Sequence, residues 1–169
     1  MTLLILGAAE KISRRLIPIL LIETDHDLLL YARNAEERLW EFKGKRVKLI
    51  FCSFFDSETL NEAPKHADLV YLNEMPHIEV IKEIIDSMET AGVTRFIGAS
   101  ILEIYDEVAG EFGEWNHQML NPIPAVHDHK VFARLIEESI LDYTLLRITW
   151  LYNESENDAY AYTKKVNLS

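Results

Sequence analysis

The sequence predicts a doubly wound α/β domain: a mostly parallel sheet of about six strands in the order 3-2-1-4-5-6, with helices on both faces. Three observations carry this. Short apolar runs alternate with helical patterns from Leu3 to Arg147. The first run is closed by a glycine, Gly7. The chain has 169 residues, 49% apolar and 27% charged, enough for one domain with a sizeable core.

The elements follow in order. Leu3–Leu6 is short and wholly apolar, as a strand buried on both faces requires. Lys11–Glu23 reads as a helix with Ile12, Leu16, Ile19 and Leu20 on one face; Pro18 inside it predicts a kink or a late start. Asp27–Ala32 is the second strand, Ala35–Phe42 a short helix and Val47–Phe51 the third strand. Ser57–Ala63 is a helix capped by Asp56, and Ala67–Leu72 the fourth strand. His77–Ala91 carries Ile78, Ile81, Ile84, Ile85 and Met88 at helical spacing and ends at Gly92. Arg95–Ala99 is the fifth strand, Ala125–Ser139 holds a helix, and Tyr143–Arg147 is the sixth strand. The domain is expected to span residues 1–152, with 153–169 a short polar extension over the surface.

Composition narrows the partners. The net charge of −11 repels phosphate backbones and anionic lipid, so neither nucleic acid nor membrane is expected as a partner. A small anionic cofactor is still admissible, because local cations dominate within about 8–10 Å. No apolar run reaches the roughly 18–20 residues of a membrane span, and the chain opens on a strand rather than a basic leader, so a cytoplasmic location is expected. Cys52, the one cysteine, lies in an apolar stretch and reads as a buried structural thiol.

In a doubly wound sheet, ligands bind beyond the carboxyl ends of the strands, beside strand one. Gly7-Ala8-Ala9-Glu10-Lys11-Ile12-Ser13 stands there. Gly7 permits the turn, the alanines admit a close backbone approach, and the following helix start offers free N–H groups to a pyrophosphate. An ordinary strand-to-helix turn is the competing reading. The second strand ends Tyr31-Ala32-Arg33-Asn34. An acid there would bind a ribose 2′-hydroxyl, whereas Arg33 suits a 2′-phosphate and so NADP over NAD. A solvated arginine at a helix start is the alternative. His127-Asp128-His129, with His117 and Glu114 nearby, invites a metal reading. Histidines two apart do not share a helical face, so no metal is expected.

Taken together, these segments resemble the atypical short-chain dehydrogenase/reductase group, in particular the NmrA-like NAD(P)-binding proteins. The resemblance runs from Leu3 to Tyr152. It rests on Leu4-Ile5-Leu6-Gly7-Ala8-Ala9, Tyr31-Ala32-Arg33-Asn34, Phe54-Phe55-Asp56 and Ala67–Asn73. It continues in Gly92–Ser100, Ile104-Tyr105-Asp106-Glu107, His129-Lys130 and Leu141–Arg147. By resemblance, Gly7, Ala9, Glu10, Lys11 and Ile12 hold the pyrophosphate, Arg33 the 2′-phosphate, and Phe54 lies near the adenine. Leu72, Asn73 and Ser100 line the nicotinamide side. Lys130 bonds the nicotinamide ribose. Lys130 and Ser100 are the catalytic candidates.

The departures matter as much. Glu10 stands where the group has a second glycine; aimed at the pyrophosphate, it repels on the order of 3–4 kcal/mol per charge pair at an effective dielectric of about 20. The group's serine falls on Ile101, with Ser100 one residue early, and its proton-donating tyrosine falls on Val126; Tyr105 is a possible substitute. Few residues follow the sixth strand, so the substrate pocket is expected to be open or to be completed by a partner subunit. Three readings follow: an NADPH-dependent oxidoreductase on a small carbonyl or quinone-like acceptor; a non-catalytic NAD(P) sensor that reports to a regulatory protein; and a scaffold without cofactor. A homodimer through the sixth strand or its helices is compatible with all three.

Overall fold

The structure, a computed structural model, describes residues 1–120, 123 and 125–151. The expected extension, residues 153–169, lies outside them.

Six parallel strands form one sheet in the order β3-β2-β1-β4-β5-β6. They are β1 (Thr2–Leu6), β2 (Asp27–Ala32), β3 (Val47–Phe51), β4 (Leu69–Leu72), β5 (Arg95–Ile101) and β6 (Asp142–Ile148). The central strand β1 is paired on both edges: Leu3 lies opposite Leu28 of β2 and Leu69 of β4. That burial on both sides explains its unbroken apolar run.

The helices are α1 (Lys11–Glu23), α2 (Ala35–Arg38), α3 (Ser57–Glu62), α4 (Ile78–Ala91), α5 (Gly110–Leu120) and α6 (Ala125–Glu137). Two apolar layers cover the sheet. One joins Leu3, Ile5, Leu28 and Leu30 to Ile17 of α1, to Ala35 of α2 and to Leu39 just after it. The other joins Leu4, Leu6, Val70 and Phe96 to α3, α4 and α6. α4 contributes Ile81, Ile84, Ile85 and Met88, each worth roughly 1.5–3 kcal/mol on burial. Gly92 ends it in the left-handed region, φ +71°. Asp56 caps α3 by accepting the Thr59 N–H at 3.1 Å.

Several expectations are revised. α1 begins at Lys11 and runs through Pro18, with no late start. The helix expected over Ala35–Phe42 divides into α2 and a 3-10 turn at Trp40–Phe42. α3 passes into a second 3-10 turn, Ala63–His66, which delays β4 to Leu69. β5 is two residues longer than expected, because Ser100 and Ile101 pair with Arg147 and Ile148. α5 falls in a segment where no element is expected.

Two glycines set close approaches. A β-carbon at Gly98 in β5 would lie 2.7 Å from Phe132 Cζ of α6, and one at Gly113 in α5 would lie 1.9 Å from the Val108 carbonyl oxygen. Among the described residues no helix is long and apolar enough to cross a membrane.

Candidate functional site

The sheet order changes direction between β1 and β4, and the loops that leave β1, β2, β3 and β4 meet there. They border a narrow cleft lined by Gly7, Ala9, Glu10, Arg33, Arg38, Phe54 and Glu74 among others. A second, wider concavity lies between the Leu21 end of α1 and the start of β3, at the opposite end of the strands.

Gly7 makes the turn out of β1 at φ +78°. Its N–H and that of Ala8 both donate to the Tyr31 carbonyl, at 3.2 and 3.1 Å, which locks the loop to β2. A side chain at Gly7 would be strained in φ and would press on Glu74, whose Cβ lies 2.9 Å from the place a β-carbon would take. Ala8 and Ala9 are buried, and Glu10 is the extended N-cap of α1 without a side-chain cap bond. The first N–H groups of α1 have no partner within the helix, and its first turn carries no acid. This end of α1 therefore suits a pyrophosphate in backbone shape and dipole.

The charges on the cleft are mixed. Arg38 donates to the Ala9 carbonyl at 3.0 Å and pairs with Glu10 Oε1 at 3.4 Å. Glu10 thus turns toward an arginine at the edge of the cleft, a middle course between solvent and pyrophosphate. Arg14 holds the Arg38 carbonyl and pairs with Glu41, which keeps the turn after α2 in place. Burial pushes the Glu74 carboxyl above the ordinary carboxylate range, with a further push from Glu10 and an opposing pull from Arg33 and Arg38.

Behind the charges lies an aromatic wall. Phe54 stacks on Tyr31 with ring centroids 5.5 Å apart and planes 24° from parallel. The Tyr31 hydroxyl donates to the Ser53 carbonyl at 2.8 Å, and burial raises its pKa strongly. Cys52 is buried, and its Sγ donates to Asp56 Oδ2 at 3.0 Å.

Gly7, Ala9, Glu10, Arg33 and Phe54 are therefore brought together, while six other candidates stand outside the lining of this cleft. Lys11 and Ile12 enter the first turn of α1. The Leu72 side chain is 1% exposed and packs in the core, because β4 is buried on both faces. Asn73 follows β4, and its Oδ1 accepts from the Tyr71 hydroxyl at 3.0 Å. Ser100 is also displaced, since the longer β5 takes it into the strand, where its Oγ is buried without a partner among the described residues. Lys130 and Val126 are half-buried on α6. Tyr105 is committed elsewhere: its hydroxyl donates to Glu137 at 2.9 Å, its ring lies under Arg147, and its pKa is pushed up to about 12. It is a poor proton donor. Sequence reasoning missed Arg38 and Glu74. For Glu74 the signal was its place two residues beyond a strand that borders β1.

The fold and this cleft define a nicotinamide-dinucleotide-binding domain. The chain belongs to the NAD(P)H-binding family, which matches residues 7–168. It is 32% identical to a wide-type short-chain dehydrogenase/reductase from Veillonella parvula solved in complex with NADP, over 92% of this chain and 72% of that one, with a TM-score of 0.83. It is 27% identical to a Rossmann-fold NAD(P)-binding family protein from Shigella flexneri, over 93% and 71% of the two chains, with a TM-score of 0.69. ChuY from Escherichia coli O157:H7, an anaerobillin reductase, shares the fold at 21% identity and a TM-score of 0.67, over 87% of this chain and 72% of that one. No curated protein matches the sequence.

Proposed function

We propose that this chain binds NADP(H) in preference to NAD(H) and acts as an oxidoreductase on a small carbonyl or quinone-like acceptor. The observation that carries the cofactor preference is the convergence of Arg33 and Arg38 on one cleft beyond β2, where a 2′-phosphate meets two guanidinium groups. The Gly7 loop and the start of α1 hold the pyrophosphate, and Phe54 offers its ring to the adenine. The bound cofactor supplies or accepts the hydride. The Veillonella protein was solved in complex with NADP, which supports a nicotinamide dinucleotide as the ligand of this chain.

A second reading has its own support. Val126 stands at the place of the proton-donating tyrosine, and the Ser100 hydroxyl is buried in β5. A sensor of NADP(H) occupancy in the NmrA-like manner needs neither group.

Titration with NADPH and with NADH, followed by nicotinamide fluorescence, tests the cofactor. NADPH is expected to bind at least about tenfold more tightly. No binding of either at millimolar concentration overturns both readings. Loss of NADPH absorbance with a panel of quinones and aldehydes then separates them: turnover supports the reductase, and saturable binding without turnover supports the sensor.

A further inference from the structure

A second cluster of functional side chains lies beyond β5, away from the dinucleotide cleft. Glu103, Asp106 and His117 each offer one ligand atom, and these atoms all lie within 4.8 Å of one another. Among the described residues this is the one such group of three. His117 Nδ1 is 3.2 Å from Asp106 Oδ1. Two ligands in one shell with bonds of about 2.0–2.2 Å stand roughly 3.0–3.5 Å apart, so this edge already has coordination spacing.

The buried member is the independent sign. Glu103 is only 5% exposed, and its Oε2 is buried without a hydrogen-bond partner among the described residues. A carboxylate oxygen in that state needs a cation or a donor. The neighbouring arginine is committed elsewhere: Arg147 holds Glu107 at 3.0 Å and Glu137 at 4.0 Å. Two carboxylates and one imidazole are thus gathered within 4.8 Å of one another.

The backbone fixes these groups in place. Glu103 and Asp106 are both in the left-handed region, φ +75° and +53°, though neither is glycine. Gly113 lets α5 rest directly on the Val108 carbonyl, and His117 lies one turn further along α5. The loop after β5 and helix α5 thus supply the two sides of one small cage.

We propose that Glu103, Asp106 and His117 form a divalent transition-metal site that takes Zn²⁺ and fastens α5 to the loop after β5. One imidazole and two carboxylates suit Zn²⁺ better than Mg²⁺ or Ca²⁺, which favour all-oxygen shells, and water completes the coordination. The site does not rest on the proposed oxidoreductase function. No metal is expected here from the sequence, which sets aside His127-Asp128-His129 with His117 and Glu114, whereas the structure groups His117 with Glu103 and Asp106.

The test uses the full-length protein, stripped with chelator and titrated with ZnCl₂ by calorimetry, with thermal unfolding in parallel. One ion is expected to bind per chain and to raise Tm. Asp106→Asn and His117→Ala, both at exposed side chains that leave the fold intact, are each expected to weaken binding by about tenfold or more. Co²⁺ should give a visible d–d band in the wild type that both variants lose. His127→Gln is expected to bind as the wild type does. No saturable binding at millimolar Zn²⁺, or undiminished binding in His117→Ala, overturns the proposal.

Discussion

Around β1 and β2, Ser13 is the one buried side chain with a polar atom that lacks a partner among the described residues; beyond the start of β5 there are four, on Ser100, Glu103, Asn116 and His129. Exposed aromatics occur on both sides. On the β1–β3 side Trp40, Phe51 and Phe55 face outward, while Tyr31 and Phe54 stack at the wall of the cleft. On the β5–β6 side, α5 presents Phe112 and Trp115 about half exposed, with Trp150 against Trp115 and its indole N–H on Asn116 Oδ1. Unpaired buried polar groups are rare in folded proteins and concentrate where a ligand completes them. Among the described residues, the buried polar atoms without a partner gather mainly on the β5–β6 side.

Variants can sharpen or break this contrast. The largest effect is expected at Arg33. Arg33→Ala should weaken NADPH binding about 10–100-fold and leave NADH binding unchanged, as loss of a charge-assisted contact to one phosphate requires. Equal losses for both cofactors would place Arg33 away from the 2′-phosphate. Gly98→Ala comes next. The added methyl meets the Phe132 ring and should cost about 1–3 kcal/mol, read as a lower Tm by calorimetry; an unchanged Tm would show that α6 shifts freely. Glu10→Gly removes a carboxylate from the cleft and frees Arg38, and NADPH should bind about tenfold more tightly. Unaltered affinity would mean that Arg38 already cancels Glu10.

The smallest effect concerns pH. Glu74 titrates above the ordinary carboxylate range, so at neutral pH its charged form is held at a disadvantage in the folded protein. That penalty is present above the raised pKa and disappears as the pH falls through it. Glu74→Gln should therefore be the more stable protein at neutral pH, with the advantage shrinking on acidification. An anionic cofactor raises the Glu74 pKa further, so binding takes up a proton. Wild-type affinity for NADPH should gain on Glu74→Gln as the pH is lowered, by less than about tenfold. The comparison between the two proteins cancels the titration of the cofactor's own phosphate. Parallel pH profiles would remove Glu74 from the site.

The strands were readable because each holds a short apolar run, unbroken in β4 and interrupted by Lys48 in β3 and by Thr144 in β6, and the strand order followed from alternation with helices. α4 was readable for the opposite reason: its apolar residues keep helical spacing up to a glycine stop. α5 was hidden. Its buried positions include Gly113 and Asn116, and its large apolar side chains, Phe112, Trp115 and Met119, lie on the exposed face. Periodicity arguments assume that apolar side chains face inward, and here they do not. The Gly7 turn and Arg33 could be read locally, since both stand at strand ends. Glu74 and Arg38 reach the cleft only through the fold: Glu74 after β4, beside β1, and Arg38 by folding back onto the Ala9 carbonyl. Ser100 was displaced because the length of β5 depends on its pairing with β6, a long-range property that its own residues do not announce.

The contact at Gly98 has a wider consequence. The ring of Phe132 sits where a methyl group would be, so α6 rests on β5 at the smallest spacing that a side chain on the strand allows. Lys130 lies two residues before Phe132 on the same helix. Its standing height above the sheet is thus set by an atom that is missing. A lineage of such proteins could retune the gap between Lys130 and the sheet by trading glycine for alanine at this one position, without touching a single residue that meets the cofactor.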